Sequence, residues 1–535
     1  MPGRISYNGI FIDFQNEWVK FDDPINSIVS SKQTRSGIVE INKFFDQQII
    51  TATMRLSPGQ DEIQVRRFFE YANDGSTFEL WRDPNLGTYI SFEGGGNSAT
   101  VPTITPRGLQ TNDKVAGTFT NTAVADAAWF LDPSTGLMTV VPTTNHIPRF
   151  EAGKYGQHAI RIDGAAANLI DKPSGPFDAD NWAVSNVTAT ANTTETLDPS
   201  GANTADKLLT TSSSGTITYT SGTAVGNDVA HGIWLKCNSA TVAGFIDIRG
   251  TTGGNSPEAI TMTTEWQRFS MTQDTSTIYT GDIQGRITIT PNAAVVYAWS
   301  GNLYDSAKFD LGTVGALSTS AVTRGADKLT FASANIINQD KGTIAMWFKP
   351  DWGPSNLGTN FALFQSGASE TNRHVSIVQL SDNTLQCRMY RDNGSNVAAS
   401  MVPSTAAIVQ GQFNHLVLTY DATISNSLNV YLAGALMTGG TSSNNPFNPS
   451  DVSTPFTIGS LFAATNPAFC TFDEIIITQD VKSAAWVQQI FSRTQAVGEG
   501  RNYWASVRLA NLNYVRQALR GNRSTIPLEF EEVLS

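Results

Sequence analysis

The sequence predicts a mainly β, multi-domain fold: two β-sandwich (jelly-roll) modules and one small α+β domain. Three observations predict it. The chain has 535 residues, room for several domains at roughly 100–200 residues each. Charged residues make up only 15%, while Gly, Thr, Ser and Asn are plentiful, a composition suited to sheets and loops. Short alternating strands recur at close spacing through 165–310 and again through 325–495, the pattern of sandwiches.

Several function classes are disfavoured by bulk properties. A formal net charge of -12 argues against a general nucleic-acid binder, which normally presents a basic surface. The 11 Trp, 13 Tyr and 28 Phe supply several cores and argue against disorder. Cys237, Cys387 and Cys470 are far apart and form no CxxC pair, so buried free thiols are expected rather than disulfides or zinc. The start MPGRISYNGIFIDF has no charged opening before a long apolar run, and no stretch of about 18 apolar residues occurs, so neither a signal peptide nor a membrane span is expected.

Taken in order, residues 1–95 read as an α+β unit. Ile50, Ala52, Met54 and Leu56 share one face of a strand at 49–56. Ser57-Pro58-Gly59-Gln60 then starts a helix, with Ser as cap and Pro in the first turn. Val65, Phe68, Phe69 and Ala72 line one face of it, and Asn73-Asp74-Gly75 ends it. Strands at 77–82 and 88–93 flank a turn at Asp83-Pro84-Asn85. Residues 96–164 read as an irregular β linker region, introduced by the flexible Gly94-Gly95-Gly96.

The first sandwich, 165–310, has expected strands at 215–220, 231–237, 243–249, 267–271, 286–290 and 295–299. The second, 325–495, has them at 342–349, 361–365, 375–380, 385–390, 415–420, 428–432, 455–458 and 471–477. Its one helix is expected at 483–491, capped by Ser483, with Val487, Ile490 and Phe491 at helical spacing. The stretch 500–535 is basic, with Arg501, Arg508, Arg516, Arg520 and Arg523, and closes on IPLEFEEVL, where Ile526, Leu528 and Phe530 alternate with Glu529 and Glu531. That strand needs a sheet to join, and pairing of 500–535 with 1–95 in one domain is the expectation.

Three stretches resemble known families. Residues 119–168, with FTNTAVADAAWFLDPSTGLMTVV, NHIPRFEAGKYG and IRIDGAAANLI, resemble a linker of phage tail and virion proteins, departing from it at Asp132-Pro133-Ser134. Residues 177–304 resemble the carbohydrate-binding-like jelly roll that often follows that linker, through Asp180-Asn181-Trp182, Gly232-Ile233-Trp234-Leu235-Lys236, Trp266-Gln267-Arg268-Phe269 and Tyr297-Ala298-Trp299. Residues 341–494 resemble laminin-G-like, concanavalin A-like domains, through GTIAMWFK at 342–349, GQFNHLVLTYD at 411–421 and FDEIII at 472–477. The two chain ends resemble distal tail or baseplate-type phage proteins, whose terminal strands form a virion-docking domain with modules inserted between them.

These resemblances imply a virion structural protein of the tail tip or baseplate, projecting its modules toward host-surface glycans. They imply assembly in the host cytoplasm, other tail proteins as partners, and a homo-oligomer (trimer or hexamer). A capsid decoration or head-fibre protein is the alternative, and a glycan depolymerase is disfavoured. A glycosidase needs two carboxylates roughly 5–10 Å apart across one cleft. The glucanase pattern Glu-x-Asp-x-x-Glu is absent from 341–494, as are GxSxG, HExxH and the P-loop. No enzyme is expected.

Trp352, in the loop Pro350-Asp351-Trp352-Gly353-Pro354, is the candidate sugar platform, because loops carry function. Trp234, Trp299 and Trp347 lie in strands and are expected in cores. Asp392 and Asn393 are further carbohydrate-binding candidates. Asp382, Asp392 and Asp473 are candidate Ca²⁺ ligands, since carboxylate oxygens suit that ion. A hairpin turn at Asn393-Gly394 is the competing reading. His415 is expected as a packed strand residue.

Overall fold

The computed structural model describes strands within 3–55, 78–90, 103–140 and 504–532, and most of 149–492 with side chains. The expected helix around Phe68 and Phe69 lies outside the described residues, as does the turn at Asn393-Gly394. The fold is mainly β, built from several sheets. Among the described residues no helix is long and apolar enough to cross a membrane.

The chain divides into two compact units, the first comprising 1–91, 107–114 and 494–535. Its sheet runs in the order Ile10–Phe14, Gly3–Tyr7, Phe78–Trp81, Trp504–Leu509, Thr525–Glu532, Val39–Arg55 and Lys20–Asp22. Ile25–Gln33 pairs with the first part of Val39–Arg55 as a hairpin. Strands from both chain ends therefore alternate in one sheet. Antiparallel register sets Ile526 opposite Met54, Leu528 opposite Ala52 and Phe530 opposite Ile50, so the apolar positions of the two strands coincide.

The second unit, 92–106 and 115–493, holds both sandwiches. One sheet of the first sandwich contains Val187–Thr190, Asp206–Thr210, Val295–Asp305, Val229–Cys237 and Gln267–Gln273. The facing sheet contains Trp182–Ser185, Gly215–Thr220, Ile283–Thr290, Val242–Gly250 and Glu258–Met262. Alternation explains the pairing of faces: along Gly215–Thr220 every second residue is buried, and Ile217, Ile287, Ile246, Leu208, Ile233 and Val296 meet in one core. Each such side chain contributes about 1.5–3 kcal/mol.

In the second sandwich one sheet orders Arg149–Glu151, Ala159–Ile162, Cys470–Thr478, Lys341–Pro350, Asn414–Asp421, Asn429–Leu432 and Ala435–Leu436. The other orders Asn396–Met401, Leu385–Arg391, Arg373–Gln379, Phe361–Gly367, Phe456–Ile458, Lys328–Phe331, Gly117–Thr120 and Thr103–Ile104. Cys470–Thr478 is buried along its whole length, as a strand covered on both faces must be. The helix Ala484–Phe491 packs on the neighbouring strands of this sheet: Phe491 stacks 5.8 Å from His415 of Asn414–Asp421, and His415 lies 4.8 Å from Trp347 of Lys341–Pro350. Ser483 caps the helix, its hydroxyl accepting from Trp486 N at 3.3 Å. All three cysteines are buried and unpaired.

Within 96–164, expected as a linker region, the described strands 103–104, 117–120, 149–151 and 159–162 complete the sheets of the second sandwich. The chain passes from the second sandwich to the first between Ala159–Ile162 and Ala166–Asn168, and returns between Val322–Arg324 and Lys328–Phe331. Both crossings meet at a buried ion network. Asp163 N donates to Asp327 Oδ2 at 2.9 Å and Asp327 N to Asp163 O at 2.8 Å. Arg161 Nε and Arg324 Nη1 donate to the Asp163 carboxylate at 2.8 and 3.1 Å, and Arg149 pairs with it too. Arg161 Nη1 also reaches Asp351 at 2.9 Å.

Candidate functional site

Strand alternation creates the candidate site on the first sandwich. Ile233, Leu235 and Cys237 enter the core, so Trp234 and Lys236 emerge on the opposite face of Val229–Cys237. Register extends that face into two rows. Trp234 lies opposite Trp299 on one side and Arg268 on the other. Lys236 lies opposite Tyr297, and Tyr297 opposite Lys207.

A tryptophan cluster results. Trp129, from the hairpin Trp129–Leu131/Met138–Val140, meets Trp299 edge-on, with centroids 5.6 Å apart at 81°. Met138 completes the buried part, and Trp234 and Trp266 pack against it half-buried. Trp266 Nε1 donates to Leu197 O at 2.8 Å. Lys236 Nζ sits 5.9 Å from the Trp266 ring centroid and donates to Thr196 Oγ1 at 3.0 Å. Leu197, whose carbonyl takes the Trp266 indole bond, and Leu137, the neighbour of Met138, are 55% and 43% exposed.

The loop carrying Leu197 is held from beneath. Asp198, nearly fully buried, accepts from Ser200 N at 2.7 Å, Ala202 N at 3.1 Å and Thr204 N at 3.1 Å. Thr204 Oγ1 accepts from Trp299 Nε1 at 3.0 Å, and Pro199 O accepts from Met138 N at 2.8 Å. Beside it, Glu195 accepts from Lys207 Nζ at 2.5 Å and from the Tyr297 hydroxyl at 2.9 Å. Those two hydrogen bonds lower the Glu195 pKa. Burial first, and then the bond to Glu195, push Tyr297 up to about 12. Glu195 is thereby an ionised acceptor with both oxygens engaged. The face offers aromatic rings, hydroxyls and an ammonium group, a combination suited to stacking and hydrogen bonding with a polyhydroxylated ligand.

Trp352 is elsewhere and is not a platform. It is 1% exposed, its Nε1 donates to Ala468 O at 2.7 Å, and its ring stacks on Phe361 at 5.4 Å and 5°. The loop folds the ring into the end of the second sandwich, leaving no face for a sugar. Asp392 and Asn393 lie outside the described residues. Asp382 is exposed and accepts from Thr384 N at 3.1 Å, a local turn closure. Asp473 is buried and accepts from Lys154 N at 2.7 Å and Glu474 N at 2.9 Å. Among the described residues no group of three or more His, Cys, Asp or Glu side chains could hold a metal ion.

Ser366 and His374 form a hydrogen-bonded pair at 3.3 Å, and His374 Nε2 contacts Gln339 O at 2.8 Å. Both side chains are fully buried, with a backbone carbonyl where a triad has its carboxylate.

Trp234, expected in a core with Trp299 and Trp347, is instead half-buried on the outer face, because the alternation Ile233-Trp234-Leu235-Lys236-Cys237 turns it there together with Lys236. Trp266, Leu197 and Leu137 had no local signal, because contacts between distant residues assemble them.

Residues 323–488 match the family model described as the concanavalin A-like lectin/glucanases superfamily. No curated protein matches the chain. Solved structures that overlap it include the receptor-binding domain of botulinum neurotoxin C/D mosaic serotype, 11% identical over 31% of this chain and 40% of that one, with a TM-score of 0.25. The binding domain of botulinum neurotoxin DC in complex with rat synaptotagmin II is 15% identical over 36% and 47%, with a TM-score of 0.26. The overlap thus spans less than half the length of either structure. The family match falls on strands Val322–Arg324 through Cys470–Thr478 and on most of the closing helix, and the second sandwich accordingly has a concanavalin A-like lectin fold.

Proposed function

We propose that this chain is a glycan-binding structural protein of a bacteriophage virion, placed at the tail tip or baseplate, and that it binds host-surface saccharides without cleaving them. The observation that carries the binding reading is the Trp234–Trp266 face with its hydroxyl and ammonium rim, in a chain whose second sandwich is lectin-like. Ring faces stack on the apolar face of a sugar, and the surrounding donors and acceptors meet its hydroxyls. The virion assignment rests on the phage-type linker at 119–168 and on the likeness of the chain ends to tail-docking proteins. The non-hydrolytic reading rests on Glu195, whose oxygens are committed to Lys207 and Tyr297, leaving this face without a free acid pair.

Binding of the purified chain to host cells or capsule tests the first part. Trp266→Ala should weaken it by roughly 1–3 kcal/mol, on the scale of a base stacked on an aromatic side chain, with an unchanged circular dichroism spectrum. Unchanged binding together with a lower melting temperature would make the ring purely structural. Antibody labelling of particles should decorate the tail tip; labelling of the head would favour a decoration or head-fibre role instead. Release of reducing sugar from host polysaccharide would overturn the non-hydrolytic reading.

A further inference from the structure

We infer that the Trp234–Trp266 face takes an acidic saccharide, one whose carboxylate pairs with Lys236. This rests on the glycan-binding reading and specifies its substrate class.

The argument is a charge inventory of the face. Lys207 is neutralised by Glu195 at 2.5 Å. Arg268 is neutralised by Asp310, with contacts of 2.6 and 2.8 Å. Lys236, on the same outward face and across Tyr297 from Lys207, has no carboxylate partner among the described residues. Its contacts are the neutral Thr196 hydroxyl at 3.0 Å and the Trp266 ring at 5.9 Å. An ammonium carries three donors, so two remain after Thr196.

The surroundings make that cation notable. The chain carries a net charge of -12, so acidic side chains outnumber basic ones, yet among the described residues none forms an ion pair with Lys236. The ammonium is also held in position by its two contacts, rather than ranging freely on its stem, and its side chain is half-buried. A cation so fixed, beside a half-buried indole and the exposed Leu197, presents one charge and one apolar surface side by side. A uronic acid has the matching pair: a carboxylate on C5 and an apolar face of axial C–H groups. Charge-assisted hydrogen bonds are stronger than those to neutral hydroxyls, so the acid form should be preferred over a neutral sugar of the same shape.

The test uses the full chain and matched saccharides: trigalacturonate against its methyl ester, and a glucuronic acid-containing trisaccharide against its all-glucose counterpart. Isothermal titration at low salt should show the acidic member of a pair binding about tenfold tighter, with the difference shrinking as salt is raised. Lys236→Gln should remove the preference, so that the acidic and neutral members of a pair bind alike. Lys236→Arg should retain it, and Trp266→Ala should weaken both members alike. Equal affinity for the two members, or a preference that survives in Lys236→Gln, overturns the acidic assignment and leaves the glycan reading standing. Absence of binding to all four saccharides overturns both.

Discussion

Trp352 shows how a single residue's environment decides its role. Its ring lies parallel to Phe361 and its Nε1–H is satisfied by Ala468 O, so both its apolar and polar needs are met inside the fold. Trp352→Ala should cost about 3–5 kcal/mol through the cavity it leaves, seen as a lower denaturation midpoint, while saccharide binding by the folded protein stays unchanged. A loss of binding with stability intact would contradict this. Two histidines add a pH dependence. Burial holds His231 at about 4, and burial followed by the Lys154 charge holds His415 at about 3, against an ordinary value near 6.5. Both are neutral in the fold and take up protons on unfolding below about pH 6.5. Stability is therefore full above that pH and falls as the pH drops toward 4, by up to about 1.4 kcal/mol per unit for each ring. Urea midpoints between pH 7 and 4.5 should show that slope, and His415→Phe should flatten it. An unaltered slope in the variant would exclude His415 as a source.

Elements were legible in the sequence where one face is wet. Gly215–Thr220 and Ile283–Thr290 alternate cleanly, and period-2 patterning placed both. The closing helix was legible from Ser483 and the spacing of Val487 and Ile490. Less legible was which sheet each strand joins, since Arg149–Glu151 and Ala159–Ile162 look like linker yet lie beside Cys470–Thr478 some 300 residues away. Their burial is completed by a distant partner, and no local pattern reports that. The aromatic face was hidden for a related reason: Trp234 lies in a strand pattern that reads as core, and the Trp129 hairpin that packs beneath it arrives from the linker. That hairpin supports the face, because Trp129 packs on Trp299 and Met138 N bonds the loop bearing Leu197. Trp129→Ala should then lower thermal stability and also weaken saccharide binding, although Trp129 is itself buried. Wild-type affinity in a destabilised Trp129→Ala protein would show that the face does not depend on the hairpin.

At the scale of the molecule, chain connectivity is used twice as a fastening. The first unit closes by setting Thr525–Glu532 between Trp504–Leu509 and Val39–Arg55, so strands from both ends of the chain complete one sheet. In the second unit the two crossings between sandwiches are joined through Asp163 and Asp327, each bonding the other's backbone or carboxylate. Asp163 is fully buried and receives Arg149, Arg161 and Arg324. Neutralising it would leave buried guanidinium groups short of an anion, a change that typically costs about 3–5 kcal/mol. Because Arg324 ends a strand paired with the first sandwich, while Arg161 lies in a sheet of the second, that cost falls on the joint between them. The intact protein should therefore melt its two sandwiches together, and Asp163→Asn should both lower the transition and split it in calorimetry. The isosteric change preserves shape and some hydrogen bonding, so a split would report the lost charge. A single transition at the wild-type temperature would show that the network contributes nothing to coupling.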